Sequence, residues 1–115
     1  MERIVLVTGG FDPLHSGHIA YFKAAKKLGT KLIVGINSDE WLARKKGKHF
    51  MPFHERCSIV EELSVVDQVI GFNDDDDSAC NAIFQALSTH GNIKLIFANG
   101  GDRTNTTTPE YATYG

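Results

Sequence analysis

The sequence predicts an α/β fold, a doubly wound parallel sheet with helices on both faces. Three observations carry that expectation. Short β-branched runs of strand length recur along the chain, segments of helical period stand between them, and a Gly-Gly turn closes the first run just ahead of a helix start. Strands alternating with helices form right-handed βαβ crossovers, which bury a parallel sheet on both sides. At 115 residues the chain is expected to be a single domain, residues 1–115, too short for a second independent core.

The elements follow in order. Ile4-Val5-Leu6-Val7, within Arg3 to Thr8, reads as a buried strand ended by Gly9-Gly10. From Ser16 to Leu28 the period becomes helical, with Ile19, Phe22 and Ala25 as the apolar stripe. Lys26 and Lys27 fall near the helix end that favours cations. Lys31 to Ile36 is the second strand, after which Ser38 or Asp39 can cap a short helix through Trp41 and Leu42. A basic segment follows, Arg44-Lys45-Lys46-Gly47-Lys48-His49, and Pro52 suits the first turn of a helix reaching about Leu63. Val65 to Phe72 gives a third strand, Ser78 to Ser88 a helix and Ile93 to Ala98 a fourth strand. Asp74 to Asp77 precede the Ser78 helix, where capping and the helix dipole account for acids.

Composition narrows the function classes. With 42% apolar and 23% charged residues the chain is ordinary globular protein. A net charge of -2 gives no support for nucleic-acid binding, so an anionic ligand would need a local positive pocket. Cys57 and Cys80 lack ligand spacing, which fits a reducing cytoplasm. No apolar stretch is long enough for a signal peptide or a membrane span, so a soluble cytoplasmic protein is expected.

In a doubly wound sheet, ligands bind beyond the carboxyl ends of the strands, where the strand order reverses. The richest segment there is Thr8-Gly9-Gly10-Phe11-Asp12-Pro13-Leu14-His15-Ser16-Gly17-His18. Glycines after a strand let backbone approach a ligand, and a helix start offers free N–H groups to an anion. His15 and His18 are three apart, so both rings can project to one side, and Gly17 between them leaves room for a phosphate chain. A zinc reading is weaker, because the Glu and spacing of a metalloprotease helix are missing.

His15-Ser16-Gly17-His18 after Gly10-Phe11-Asp12 resembles the HxGH signature of the cytidylyltransferase-like nucleotidyltransferases, and the resemblance runs from Val5 to about Arg103. That superfamily includes glycerol-3-phosphate cytidylyltransferases, choline- and ethanolamine-phosphate cytidylyltransferases and heptose-1-phosphate adenylyltransferases, all with a Rossmann-like sheet. The resemblance implies that His15 and His18 stabilise the transition state at the transferred phosphate. Lys45 matches a phosphate-contacting lysine, with Lys46 and Lys48 as neighbours, and Arg56 matches an arginine of the next helix that can clamp phosphate. Thr8, Gly9, Gly10, Phe11, Asp12, Gly17 and Lys46 would line the nucleotide, and Asn99-Gly100-Gly101-Asp102-Arg103 would hold the nucleoside.

The implied reaction is in-line attack of an acceptor phosphate oxygen on the α-phosphorus of CTP or ATP, expelling pyrophosphate, with Mg²⁺ accompanying the nucleotide. The main expectation is transfer of CMP to a small polyol phosphate of the glycerol-3-phosphate type. The alternative is transfer of AMP to a sugar phosphate, as in the heptose-1-phosphate enzymes, to which Asn37-Ser38-Asp39, Lys46-Gly47 and Gly100-Gly101-Asp102 look closest. An alternative of another class is an inactive nucleotide-binding module. Many cytidylyltransferases carry a basic residue just before the third strand; Ser64 stands there in this chain. A homodimer is common among the families resembled, and neither a membrane nor a nucleic-acid partner is implied.

Overall fold

Residues 2–76, 78–90 and 93–98 are described in this computed structural model. In chain order they form β1 (Glu2–Gly9), α1 (Ser16–Lys26), β2 (Lys31–Ile36), α2 (Asp39–Lys46), α3 (Phe53–Glu61), β3 (Gln68–Gly71), α4 (Cys80–His90) and β4 (Ile93–Phe97). The strands lie in the order β3-β2-β1-β4, and every pairing is parallel. From β1 the chain winds outward through β2 to β3, then crosses back to place β4 on the other side of β1. The order therefore reverses between β1 and β4, which opens a crevice at their carboxyl ends. The expected doubly wound α/β fold is the fold the chain adopts.

Strand periodicity divides the core into two layers. Val5, Val7, Leu32, Val34 and Ile36 face one side, where Phe22 and Ala25 of α1 and Val60 of α3 pack on them. Ile4, Leu6 and Ile33 face the other side, against Ala82, Ile83 and Ala86 of α4. Leu6 stands level with Ile33 on one neighbouring strand and Phe97 on the other, so each core row runs across the sheet.

Three details depart from the sequence-based expectation in ways that bear on the site. The basic run Arg44 to Lys46 is the last turn of α2, where cations complement the helix dipole, and Gly47 closes the helix at φ 91°. The third strand is shorter than Val65 to Phe72, because Asp67 takes over the ladder at its start. Its carboxylate accepts the Leu32 N–H at 2.8 Å, its own N–H donates to the Leu32 carbonyl at 3.0 Å, and it pairs with Lys26. Asp74 does not serve the next helix. It is 2% exposed and accepts from Asn37 Nδ2 (3.0 Å), the Ser38 N–H (2.8 Å) and Ser38 Oγ (2.7 Å), tying the end of β2 to the segment that follows β3. Ser38 also caps α2, its Oγ accepting from the Trp41 N–H at 3.0 Å.

Candidate active site

A cleft of about 440 Å³ opens at the carboxyl end of β1, lined by Thr8, Gly9, Gly10, Phe11, His15, Gly17, His18 and Tyr21. It lies where β1 hands over to α1, beside the end of β4. Tyr21 Oη donates to the Ala98 carbonyl at 2.8 Å and so fastens α1 to the exit of β4. Sequence reading passed over Tyr21, although its place three residues after His18 puts it on the same helix face. Asn99, Gly100, Gly101, Asp102 and Arg103, expected around the nucleoside, lie outside the described residues.

The two histidines close α1 reciprocally. His15 is the N-cap and its Nδ1 accepts from the Gly17 N–H at 3.0 Å, while His18 Nδ1 accepts from the His15 N–H at 3.1 Å. The His15, Gly17 and His18 amides are thus already used, the His18 N–H being bonded to the His15 carbonyl at 2.9 Å. This narrows the expectation of free N–H groups for an anion, since three amides of the turn are engaged within it. An Nδ1 that accepts a hydrogen bond carries no proton, so in each neutral ring the proton sits on Nε2. The rings lie 3.9 Å apart between centroids at an interplanar angle of 33°. Two Nε2–H donors side by side suit neighbouring oxygens of one phosphoryl group.

Gly17 serves this arrangement differently from the sequence reading. A Cβ on Gly17 would stand 2.8 Å from His15 Cε1 and 3.0 Å from its Nδ1. The absent side chain makes space for the His15 ring folding back over the helix at the edge of the cleft.

Burial, followed by repulsion from a charged His15, holds the His18 imidazole below its ordinary pKa. A histidine with a depressed folded value binds its proton more readily when unfolded. Stability is therefore full above about pH 6.5, the unfolded value, and declines as pH falls below it. We expect the melting temperature of the ligand-free protein to drop below that pH, and His18→Gln to flatten the drop; equal slopes in both would contradict it.

Several expected ligand groups are committed to the protein itself. Phe11 is 5% exposed and adopts φ 52°, a left-handed conformation that costs a non-glycine residue about 1–3 kcal/mol. Its ring stands edge-on to His18 and to Phe22, both at 5.1 Å, so it is a wall behind the histidine. The Asp12 side chain is 1% exposed; it accepts from the Phe50 N–H (2.5 Å) and the Met51 N–H (2.6 Å) and pairs with Lys46 Nζ at 3.0 Å. Burial raises its pKa, but the Phe50, Lys46 and Met51 donors outweigh that and hold it low. Lys46 also donates to the Asp12 carbonyl at 2.8 Å, so its ammonium is shared with an acid rather than presented alone.

Arg56 departs furthest from its expected place. The residue is 1% exposed and pairs with Asp39. Nε donates to the Met51 carbonyl (2.9 Å), Nη1 to the Gly10 (2.9 Å) and Asn37 (2.7 Å) carbonyls, and Nη2 to Asp39 Oδ1 (2.6 Å). Four of the five guanidinium donors therefore hold backbone and one acid, and the clamp expected on phosphate is a clamp on loops. Asp39 was missed as its partner because the two lie 17 residues apart, with no helical or strand spacing between them. Lys45 Nζ lies 5.7 Å from the Trp41 ring centroid at the exposed end of α2.

A parallel α/β sheet with a paired-imidazole cleft at its switch point defines a class, the nucleotide-handling domains of doubly wound type. The cytidylyltransferase-like family model matches residues 6–112, and the chain belongs to this family of nucleotidyltransferases. The bifunctional protein HldE of Erwinia tasmaniensis is 38% identical over 113 residues, 88% of this chain and 24% of that protein. HldE of Blochmanniella floridana is 47% identical over 77 residues, 65% of this chain and 16% of that protein. The chain thus spans no more than about a quarter of the length of these relatives. Among solved structures, a lipopolysaccharide core biosynthesis protein from Thermoplasma volcanium is 28% identical with a TM-score of 0.62, over 89% of this chain and 100% of that one. No helix among the described residues is long and apolar enough to cross a membrane.

Proposed function

We propose that this chain transfers AMP from ATP to a sugar phosphate, releasing pyrophosphate, as a cytoplasmic enzyme. The observation that carries the reading is the paired imidazoles, each with Nδ1 turned into the helix cap and Nε2–H left for a ligand. The sugar-phosphate acceptor and the adenylyl group are favoured over glycerol-3-phosphate and CMP by the similarity to HldE, a heptose-phosphate adenylyltransferase. Ser64, where many cytidylyltransferases have a basic residue, points the same way.

In this reading the acceptor phosphate oxygen attacks the α-phosphorus in line, and the bond to the bridging oxygen of pyrophosphate breaks. His15 and His18 donate from Nε2 to the oxygens on which negative charge grows. Thr8, Gly9, Gly10 and Gly17 form the backbone side of the nucleotide site, and Lys45 approaches the phosphates from the end of α2. Among the described residues no group of three or more His, Cys, Asp or Glu is placed to hold a metal ion. The donor set therefore fits a Mg²⁺ held mainly by the triphosphate, where it would neutralise phosphate charge.

Pyrophosphate release measured with ATP or CTP, against heptose-1-phosphate, glycerol-3-phosphate and phosphocholine, tests the assignment. ATP with the sugar phosphate should give the highest kcat/KM. CTP with glycerol-3-phosphate as the best pair would overturn the choice of substrates, and nucleotide binding without turnover on any acceptor would overturn the enzyme.

A further inference from the structure

We infer that Arg56 is a positioning residue for His18, acting through the Gly10 carbonyl and the left-handed turn at Phe11. The Gly10 carbonyl and the Phe11 N–H belong to one rigid peptide plane. Holding that oxygen therefore fixes ψ at Gly10 and φ at Phe11 together. Arg56 Nη1 holds it at 2.9 Å and, with its second N–H, takes the Asn37 carbonyl at the end of β2, 2.7 Å away. The plane is thereby referenced to the sheet. The guanidinium is itself immobilised by Met51 on one side, Asp39 on the other and the Phe53 ring, 5.7 Å from its central carbon.

From that plane the constraint reaches the cleft. With φ fixed at 52°, the Phe11 side chain is delivered edge-on to His18, at 5.1 Å and 89°. Phe22 backs it from the fully buried side, so the ring has nowhere to retreat. Asp12, next in sequence, holds the Phe50 and Met51 amides, and Arg56 holds the Met51 carbonyl, so the segment after α2 is bolted to the same loop. A lysine keeps the charge of Arg56 but offers three donors from one nitrogen, which cannot span four acceptors arranged around a planar fork.

The kinetic part of this inference rests on the proposed transfer reaction; its structural part does not. The test compares Arg56→Lys with Phe11→Leu, which leaves Arg56 in place and removes the ring edge. Ring ¹⁵N shifts of His18 in the ligand-free protein report its tautomer and packing whatever the reaction catalysed. In both variants we expect those shifts to move from the Nε2–H pattern towards a tautomer average. Turnover should fall about tenfold, as for a displaced reacting group, with the ATP Kd within about threefold of wild type. Wild-type His18 shifts in folded Arg56→Lys overturn the inference, as does a tenfold weaker ATP Kd with unchanged shifts, the signature of direct phosphate contact. Should Arg56→Lys not fold, Phe11→Leu decides, and unchanged His18 shifts there overturn it equally.

Discussion

His15→Ala and His18→Ala should each lower turnover by about 10²–10³-fold, the usual effect of removing one preorganised donor to developing charge. Both rings end in an Nε2–H because both Nδ1 atoms accept backbone amides, and rings whose centroids lie 3.9 Å apart suit two oxygens of one phosphoryl group. Their losses should not add in the double variant, since either donor alone leaves the charge poorly spread. The fold should survive, because losing an N-cap costs about 1 kcal/mol. His18→Gln keeps an N–H near the Nε2 position and should fall less far than Ala. Single-turnover assays with circular dichroism on the same samples would decide; folded alanine variants within threefold of wild type would remove the histidines from the chemistry.

Gly17→Ala should lower turnover by about 10²-fold, the scale expected when a reacting group moves by about an ångström. The new methyl would meet His15 Cε1 at 2.8 Å, and the ring is the part free to move. Swinging it outward breaks the bond from the Gly17 N–H to Nδ1 and parts the two imidazoles. Alanine is the better helix former by as much as about 1 kcal/mol, which offsets the lost cap. Stability should therefore stay within about 1 kcal/mol while activity collapses. Unchanged turnover in a folded Gly17→Ala protein would show that the His15 ring can work from another position.

Much of the fold was legible in the sequence because it rests on local pattern. The runs at Ile4 to Val7, Lys31 to Ile36 and Ile93 to Ala98 alternate with helical periods, and each overlaps an observed strand. The third strand was overread because Val65 and Val66 have strand character, yet they pack from a turn while the Asp67 side chain takes the ladder bond. The basic segment was read as separate from α2 because a charge run carries no apolar period, whereas capping by Ser38 and termination at Gly47 set that helix.

The chain's own residues, by type and spacing, determined the alternation that makes a doubly wound sheet and the placing of His15 and His18 at the mouth of its first crossover. Only the tertiary structure decided what the charged residues around them do. Asp12, Lys46, Asp39 and Arg56 carry charge that the sequence alone assigns to the nucleotide, its phosphates or a helix cap. Burial at 1% exposure obliges Arg56 to find acceptors, and those it finds are carbonyls and a carboxylate brought together from three segments, the turn after β1, the end of β2 and the approach to α3. No spacing rule encodes such a meeting, because it depends on where the sheet returns the chain.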